Sequence, residues 1–215
     1  PHCVYWPAML KAMGVEMPQT NFIHGWWLLG QSKMSKSLGN VVNPLDVSAK
    51  YGVDAFRYFL IAEMTFGQDA SFSEESFIAR YNSVLANDLG YMLSRVVKLT
   101  LKHFDGAIPA PGPLDPMDVE LKDACLAAVA ATGKGLREMK IDKSLEQVMN
   151  SVRAANRYME RTAPWTLAKK GEMARLGSVL YNAAESLRIA SGLLLPVMPS
   201  KMGELRRTLG LSGAD

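Results

Sequence analysis

From residue 71 onward, apolar residues return every three or four positions, the spacing that gathers them on one face of an α-helix. Leu85, Leu89, Met92, Val96 and Leu99 form the first such stripe. A Pro/Gly-rich connection, GAIPAPGPLDP, ends it. Helices are then predicted over roughly 116–139 and 142–162, the second with Leu145, Val148, Met149, Val152, Ala155 and Met159 on its apolar face. A further stripe over roughly 174–195 runs through Leu180, Ala183, Leu187, Ala190 and Leu194, and a short helix follows Pro199. Four long amphipathic helices with short connections predict a bundle.

Before residue 70 the pattern is mixed. NFIHGWWLLG is apolar, aromatic and bounded by turn residues, so it reads as a strand followed by a turn, with Trp26 and Trp27 as core. Asn43-Pro44 marks a helix start, and Gly52 after Tyr51 is expected to end that helix in the left-handed conformation. VDAFRYFLIAEM reads as a second short helix. SFSEES offers a capping box from Ser71 to Glu74.

Composition narrows the class only a little. The chain has 215 residues, 48% hydrophobic and 21% charged, enough to bury a sizeable core. Its net charge of +3 permits a phosphate or nucleic-acid partner without arguing for one. Cys3 and Cys125 form no CxxC pair, and the histidines are scattered, so no local zinc pattern exists. A reducing cytoplasm is the default setting. The longest apolar candidate, IASGLLLPVMP, is short and broken by Pro196, so no membrane partner is expected. The opening PHCVYWPAML has no initiator Met and begins as if within a domain, so the chain is expected to be part of a longer protein.

The polar residues carry the candidate chemistry. In GQSKMSKSLGN, Lys33 and Lys36 lie three apart between Gly30 and Gly39. Lysine is a flexible point charge with three donors, suited to phosphate oxygens, and the glycines can act as hinges. A solvated loop has the same composition. His2 and Trp6, four apart, share a face if a helix starts there; a half-buried histidine and a core tryptophan are the plainer alternatives. Tyr91, Arg95, Lys98 and Lys102 form a cationic face opposite the leucine stripe, which an ordinary solvated face would also show. Pro164 biases Ala163 away from helical geometry, so Trp165 is expected to be presented rather than buried in the bundle.

Together these motifs resemble a known family. KMSKSLGN is similar to the second signature of class I aminoacyl-tRNA synthetases. PHCVYWPAML, FIHGWW and RTAPW narrow the resemblance to the methionyl-tRNA synthetase family, over essentially the whole chain. Cysteinyl enzymes share a KMSKSLGN-like string, but RTAPW and the WPA segment fit methionyl enzymes better. The resemblance implies a mostly α fold: the tail of a Rossmann-like α/β nucleotide-binding domain (1–40), a stem-contact segment (41–70), then an α-helical anticodon-binding domain (71–215). It implies ATP and Mg2+ as cofactors, and methionine, elongator and initiator methionine tRNA, and the N-terminal catalytic half of the same enzyme as partners. By the same resemblance Lys33 and Lys36 are catalytic; His24, Lys33, Met34, Ser35 and Lys36 bind ATP; His2 and Trp6 line the methionine pocket; and Tyr91, Arg95 and Trp165 read the anticodon. Tyr91 departs from the family pattern, which has Asn there, so it is expected to stack or donate through its hydroxyl. The HIGH-like half and the zinc knuckle lie outside this sequence. Zinc is therefore not expected here, and the chain alone is expected not to activate methionine. Alternative readings are a class I synthetase of other specificity, a non-catalytic tRNA-binding module, and a helical interaction domain.

Overall fold

The apolar run around residue 27 condenses into one short strand, β1 (Trp27–Leu29). Gly30, at φ 62°, turns the chain into β2 (Ser32–Lys33), which pairs antiparallel with β1 and sets Lys33 opposite Leu28. β3 (Ala70–Phe72) lies parallel to β1 on its other edge, giving the order β2-β1-β3. Parallel pairing needs a crossover, supplied by α2 (Pro44–Tyr51) and α3 (Val53–Glu63). These features come from a computed structural model that describes residues 2–30, 32–35, 37 and 39–211. Ahead of the sheet, α1 (Tyr5–Ala12) has no buried residue.

Gly25 explains how β1 reaches β3. A Cβ there would lie 2.0 Å from the carbonyl oxygen of Gln68, so only glycine permits the approach. Asn43 caps α2 by accepting the Leu45 N–H at 3.1 Å. Gly52 does take positive φ, but with extended ψ (91°, 145°) rather than the left-handed helical well, and it leads directly into α3.

The next helix starts two residues later than the expected capping box. Ser73, not Ser71, caps α4 (Glu74–Arg80) by accepting the Ser76 N–H at 3.1 Å. Ser71 is held in β3, where its hydroxyl donates to the Gly30 carbonyl. α4 runs through a π-helical stretch, Tyr81–Gly90, into α5 (Tyr91–Phe104). The bundle is completed by α6 (Pro116–Arg137), α7 (Ile141–Thr162), the short α8 (Pro164–Lys170), α9 (Met173–Leu194) and α10 (Pro199–Thr208). The predicted stripes face one core: Met92, Val96, Val148, Met149, Met159, Leu180, Leu187 and Leu194 are almost fully buried.

A second, aromatic core lies under the sheet. Phe59 meets Phe72 edge-on at 5.6 Å and Phe77 at 5.2 Å. Trp27, Leu29 and Met34 pack against it. α3 joins the two cores, because Tyr58 belongs to the bundle core and its neighbour Phe59 to the aromatic one. It also holds the α9–α10 corner from both sides. Arg57 donates to the carbonyls of Val197 and Pro196, each at 2.8 Å, and buried Asp54 accepts the Lys201 N–H at 2.6 Å. The cation thus meets carbonyls of the turn that follows α9, and the carboxylate meets an amide in the first turn of α10, as that helix's dipole favours. No helix of the described residues is long and apolar enough to cross a membrane.

Candidate functional site

The first site is the loop after β2. Lys33 leaves the sheet edge with its Nζ 3.5 Å from the centroid of the Trp26 ring. Trp26 is 59% exposed, so the expected pair of core tryptophans is split: Trp27 packs on Phe59 while Trp26 faces solvent. Trp26 precedes β1, with its backbone N–H on Asp69 and its ring under Lys33, whereas Trp27, the first residue of the strand, packs inward. Met34 is half-buried against the aromatic core. Asn40 braces the turn from the other end, accepting the Ser35 N–H at 2.8 Å and donating to the Lys33 carbonyl at 3.2 Å. The Ser35 and Ser37 hydroxyls share a hydrogen bond at 2.8 Å. Lys36 lies outside the described residues. Gly39, at φ 66°, turns the chain out of the loop, and Gly30 turns it in. The backbone at Lys33 and Ser35 is therefore held, while the Lys33 and Ser37 side chains stay exposed.

His24 is exposed at the rim of a cleft of about 220 Å³ that Phe22, Trp27 and Phe66 also line. Its Nδ1–H donates to the Gly25 carbonyl at 2.7 Å, which leaves Nε2 as the ring atom for an outside partner. His2 and Trp6 do not share a helical face, because α1 begins at Tyr5 and His2 lies in the turn before it. Both are exposed. Among the described residues no three His, Cys, Asp or Glu side chains converge on a metal-sized site.

The second site is on the bundle. Arg95 projects from α5 with its guanidinium between two rings, 5.1 Å from the Tyr91 centroid and 5.3 Å from that of Trp165. Tyr91 reaches it as the residue one turn earlier on the same helix. Trp165 reaches it because the chain reverses sharply after α7. Ala163 sits in the left-handed conformation (φ 43°, ψ 61°), and Pro164 begins α8. Leu167 and Ala168 anchor α8 on the bundle core, which turns Trp165 outward at 40% exposure. Glu160, on the last turns of α7, accepts from Arg95 Nη1 at 2.8 Å. Arg95 Nη2 is buried and has no hydrogen-bond partner among the described residues. An orphaned, charged donor of this kind is costly to bury, and here it lies beside two exposed ring faces. Lys98 and Lys102 continue the same helix, exposed. Neighbouring contacts keep the site in shape: Asp88 of the π-helical stretch accepts from Arg153 at 2.9 Å, and Asn156 donates to the Asp88 carbonyl at 2.9 Å.

Tyr91, Arg95 and Trp165 are thus brought together, while Lys33, Met34 and Ser35 form a separate surface. Glu160, Asn40, Gly25 and the exposed Trp26 escaped the sequence. Of these only Asn40 carries a local signal, being an Asn that follows Gly39 in a turn.

Comparison with known proteins shows which sequences and folds the chain is similar to. The model of the class I tRNA synthetases (M) matches residues 1–97. The chain is 43% identical over 212 residues to the methionine–tRNA ligase of Caldanaerobacter subterraneus subsp. tengcongensis, and 42% identical over 211 residues to that of Clostridium tetani. Each match covers 98% of this chain and 33% of the relative, so the chain spans about a third of the length of these curated relatives. Among solved structures, methionyl-tRNA synthetase of Mycobacterium tuberculosis in complex with methionyl-adenylate superposes with a TM-score of 0.94 at 36% identity, covering 99% of this chain and 42% of that one.

Proposed function

We propose, from the premise that this chain belongs to the class I methionyl-tRNA synthetases, that it supplies two working parts of such an enzyme: the phosphate-side loop of methionine activation and the surface that reads the anticodon. In the proposed reaction a methionine carboxylate oxygen attacks the α-phosphorus of ATP. The bond to the β-phosphate breaks, pyrophosphate leaves, and methionyl-adenylate forms. A ribose hydroxyl of the 3′-terminal adenosine of methionine tRNA, elongator or initiator, then attacks the acyl carbon and releases AMP. Negative charge grows on the leaving pyrophosphate, and Lys33 and Lys36 are the cations assigned to it. The anchoring of Met34 in the aromatic core and of Ser35 by Asn40 supports this role, because a held backbone with a free ammonium delivers charge without reorganisation.

His24 and the backbone at Met34 and Ser35 are assigned to the nucleotide, and His2 and Trp6 to the methionine side chain. The exposed aromatic face of α1 suits a surface that the rest of the catalytic domain covers. Mg2+ neutralises the phosphates of ATP when bound. The described residues build no carboxylate cluster for it, so no protein ligand is assigned. The proposed division is 1–40 catalytic, 41–70 stem contact and 71–215 anticodon binding, in a cytoplasmic protein.

The observation that carries the anticodon half is the Arg95 guanidinium, held between two rings with one donor unused. A base stacked on Trp165 would present acceptors on its edge to that donor, and stacking on an aromatic contributes roughly 1–3 kcal/mol. In a full-length protein carrying this chain, Trp165→Ala is therefore expected to weaken charging of methionine tRNA by about 10- to 100-fold. ATP–pyrophosphate exchange without tRNA stays near the wild-type rate. Parallel loss of both reactions with a large fall in Tm would assign Trp165 to the core instead. A wild-type protein that binds tRNA but shows no exchange would be a non-catalytic module.

A further inference from the structure

Among the described residues, Lys33 differs from the other lysines that make contacts. Lys50, Lys140 and Lys143 each rest on a carboxylate. Lys33 has no anionic partner among the described residues, and its contact is the Trp26 ring 3.5 Å below its Nζ. The backbone that carries the ring is held in place. The Trp26 backbone N–H donates to Asp69 Oδ1 at 2.7 Å, and Gly25, just before it, is pressed against Gln68. Lys33 is fixed from its own side by pairing with Leu28 and by the Asn40 amide on its carbonyl.

We propose that Trp26 is a positioning residue that presents the Lys33 ammonium to incoming phosphate. A carboxylate in that place would neutralise the charge and occupy N–H donors. An aromatic face attracts the cation through its quadrupole and leaves both the net charge and the outward N–H groups available. The ring therefore removes the search of a four-carbon side chain while keeping the charge intact. The contact is weak, and a charge-assisted bond to a phosphate oxygen is stronger, so the ring orients Lys33 without trapping it. This proposal rests on the nucleotide assignment of the loop given above.

Two measurements test it. In the 215-residue chain, the ring current of Trp26 shifts the Lys33 ε-CH2 resonances upfield. Trp26→Leu abolishes that shift and Trp26→Phe keeps most of it. In a full-length protein, Trp26→Leu raises the KM for ATP in pyrophosphate exchange about two- to five-fold, the range expected of an exposed cation–π contact, with kcat little changed. Trp26→Phe restores most of the loss. In a Lys33→Met background Trp26→Leu has no further effect. An unshifted Lys33 methylene, or Trp26→Leu losses that add fully to those of Lys33→Met, would overturn the positioning role. A wild-type protein without pyrophosphate exchange would overturn the nucleotide assignment itself, and this proposal with it.

Discussion

At the scale of residues, the two candidate sites use their cations differently. Lys33 stands on a ring with its donors outward, whereas Arg95 is 11% exposed, flanked by rings and tied to Glu160. A planar guanidinium suits stacking and edge recognition, and a compact ammonium suits phosphate. The lysines of the loop stand out in the sequence because GQSKMSKSLGN concentrates charge and hinges within a few residues, and of the two only Lys33 lies among the described residues. Trp165 was legible because Pro164 restricts the residue before it, and Ala163 is indeed non-helical. Glu160 was not, because its approach to Arg95 depends on how α5 and α7 pack, which no local pattern records. The exposure of Trp26 is not legible for a different reason: an apolar run does not mark where a short strand begins, and Trp26 falls just before β1. The charge-stabilising role assigned to Lys36 makes a specific prediction. Lys36→Ala in a full-length protein is expected to slow adenylate formation by about 10²–10³, as loss of a preorganised donor does, with the KM for methionine nearly unchanged. Pyrophosphate exchange within a few-fold of wild type would remove Lys36 from that role.

Among the elements, the long helices followed directly from the spacing of apolar residues, and α6, α7 and α9 end within about two residues of their expected limits. The misplaced capping box shows what spacing leaves out. SFSEES contains two serines that could start the helix, and pairing of Ser71 with Leu28 in the sheet decides for Ser73. Ser73→Ala is therefore expected to cost about 1 kcal/mol. Ser71→Ala, which removes only a hydroxyl contact to Gly30 at a strand, should cost less. Chemical denaturation of the two variants ranks them, and a larger loss for Ser71→Ala would contradict the assignment. The π-helical stretch before α5 is not legible either, since its apolar residues Leu85 and Leu89 keep the spacing of an ordinary helix. It matters to the site because it carries Asp88, whose ties to Arg153 and Asn156 fix the approach of α7.

In the molecule as a whole, two cores share α3, and the bundle is further tied by a buried charge network. Asp118, with its side chain fully buried, accepts both arms of Arg175 at 2.6 and 2.9 Å and the Tyr158 hydroxyl at 2.6 Å. Burial pushes its carboxyl up, but these donors and the Asp115 N–H outweigh it and hold the group below its ordinary 3.8. Folded Asp118 thus binds its proton less tightly than the unfolded chain does. Its contribution to stability is complete above about pH 4 and is lost as pH falls through the depressed folded value. Asp118→Ala is expected to destabilise by about 3–5 kcal/mol at neutral pH, because Arg175 is left facing a buried gap. The variant should also lose part of the wild-type dependence of Tm on pH in the acid range, and an unchanged profile would contradict the network. Asp115 and Asp118 stand at the start of α6, whereas Tyr158 and Arg175 come from α7 and α9, so no local pattern records the network.

The central claim is that Arg95 and Trp165 read a base, and binding measures it without requiring catalysis. The 215-residue chain is titrated with an anticodon stem-loop bearing CAU, the complement of the methionine codon, and with the same stem-loop carrying U in the first place. The account predicts quenching of Trp165 fluorescence on binding and a preference for CAU of about tenfold or more, the discrimination expected of a hydrogen-bonded base edge. It also predicts that Arg95→Ala removes the preference while Trp165→Ala weakens both stem-loops. Equal affinity of the unaltered chain for the two stem-loops would contradict it.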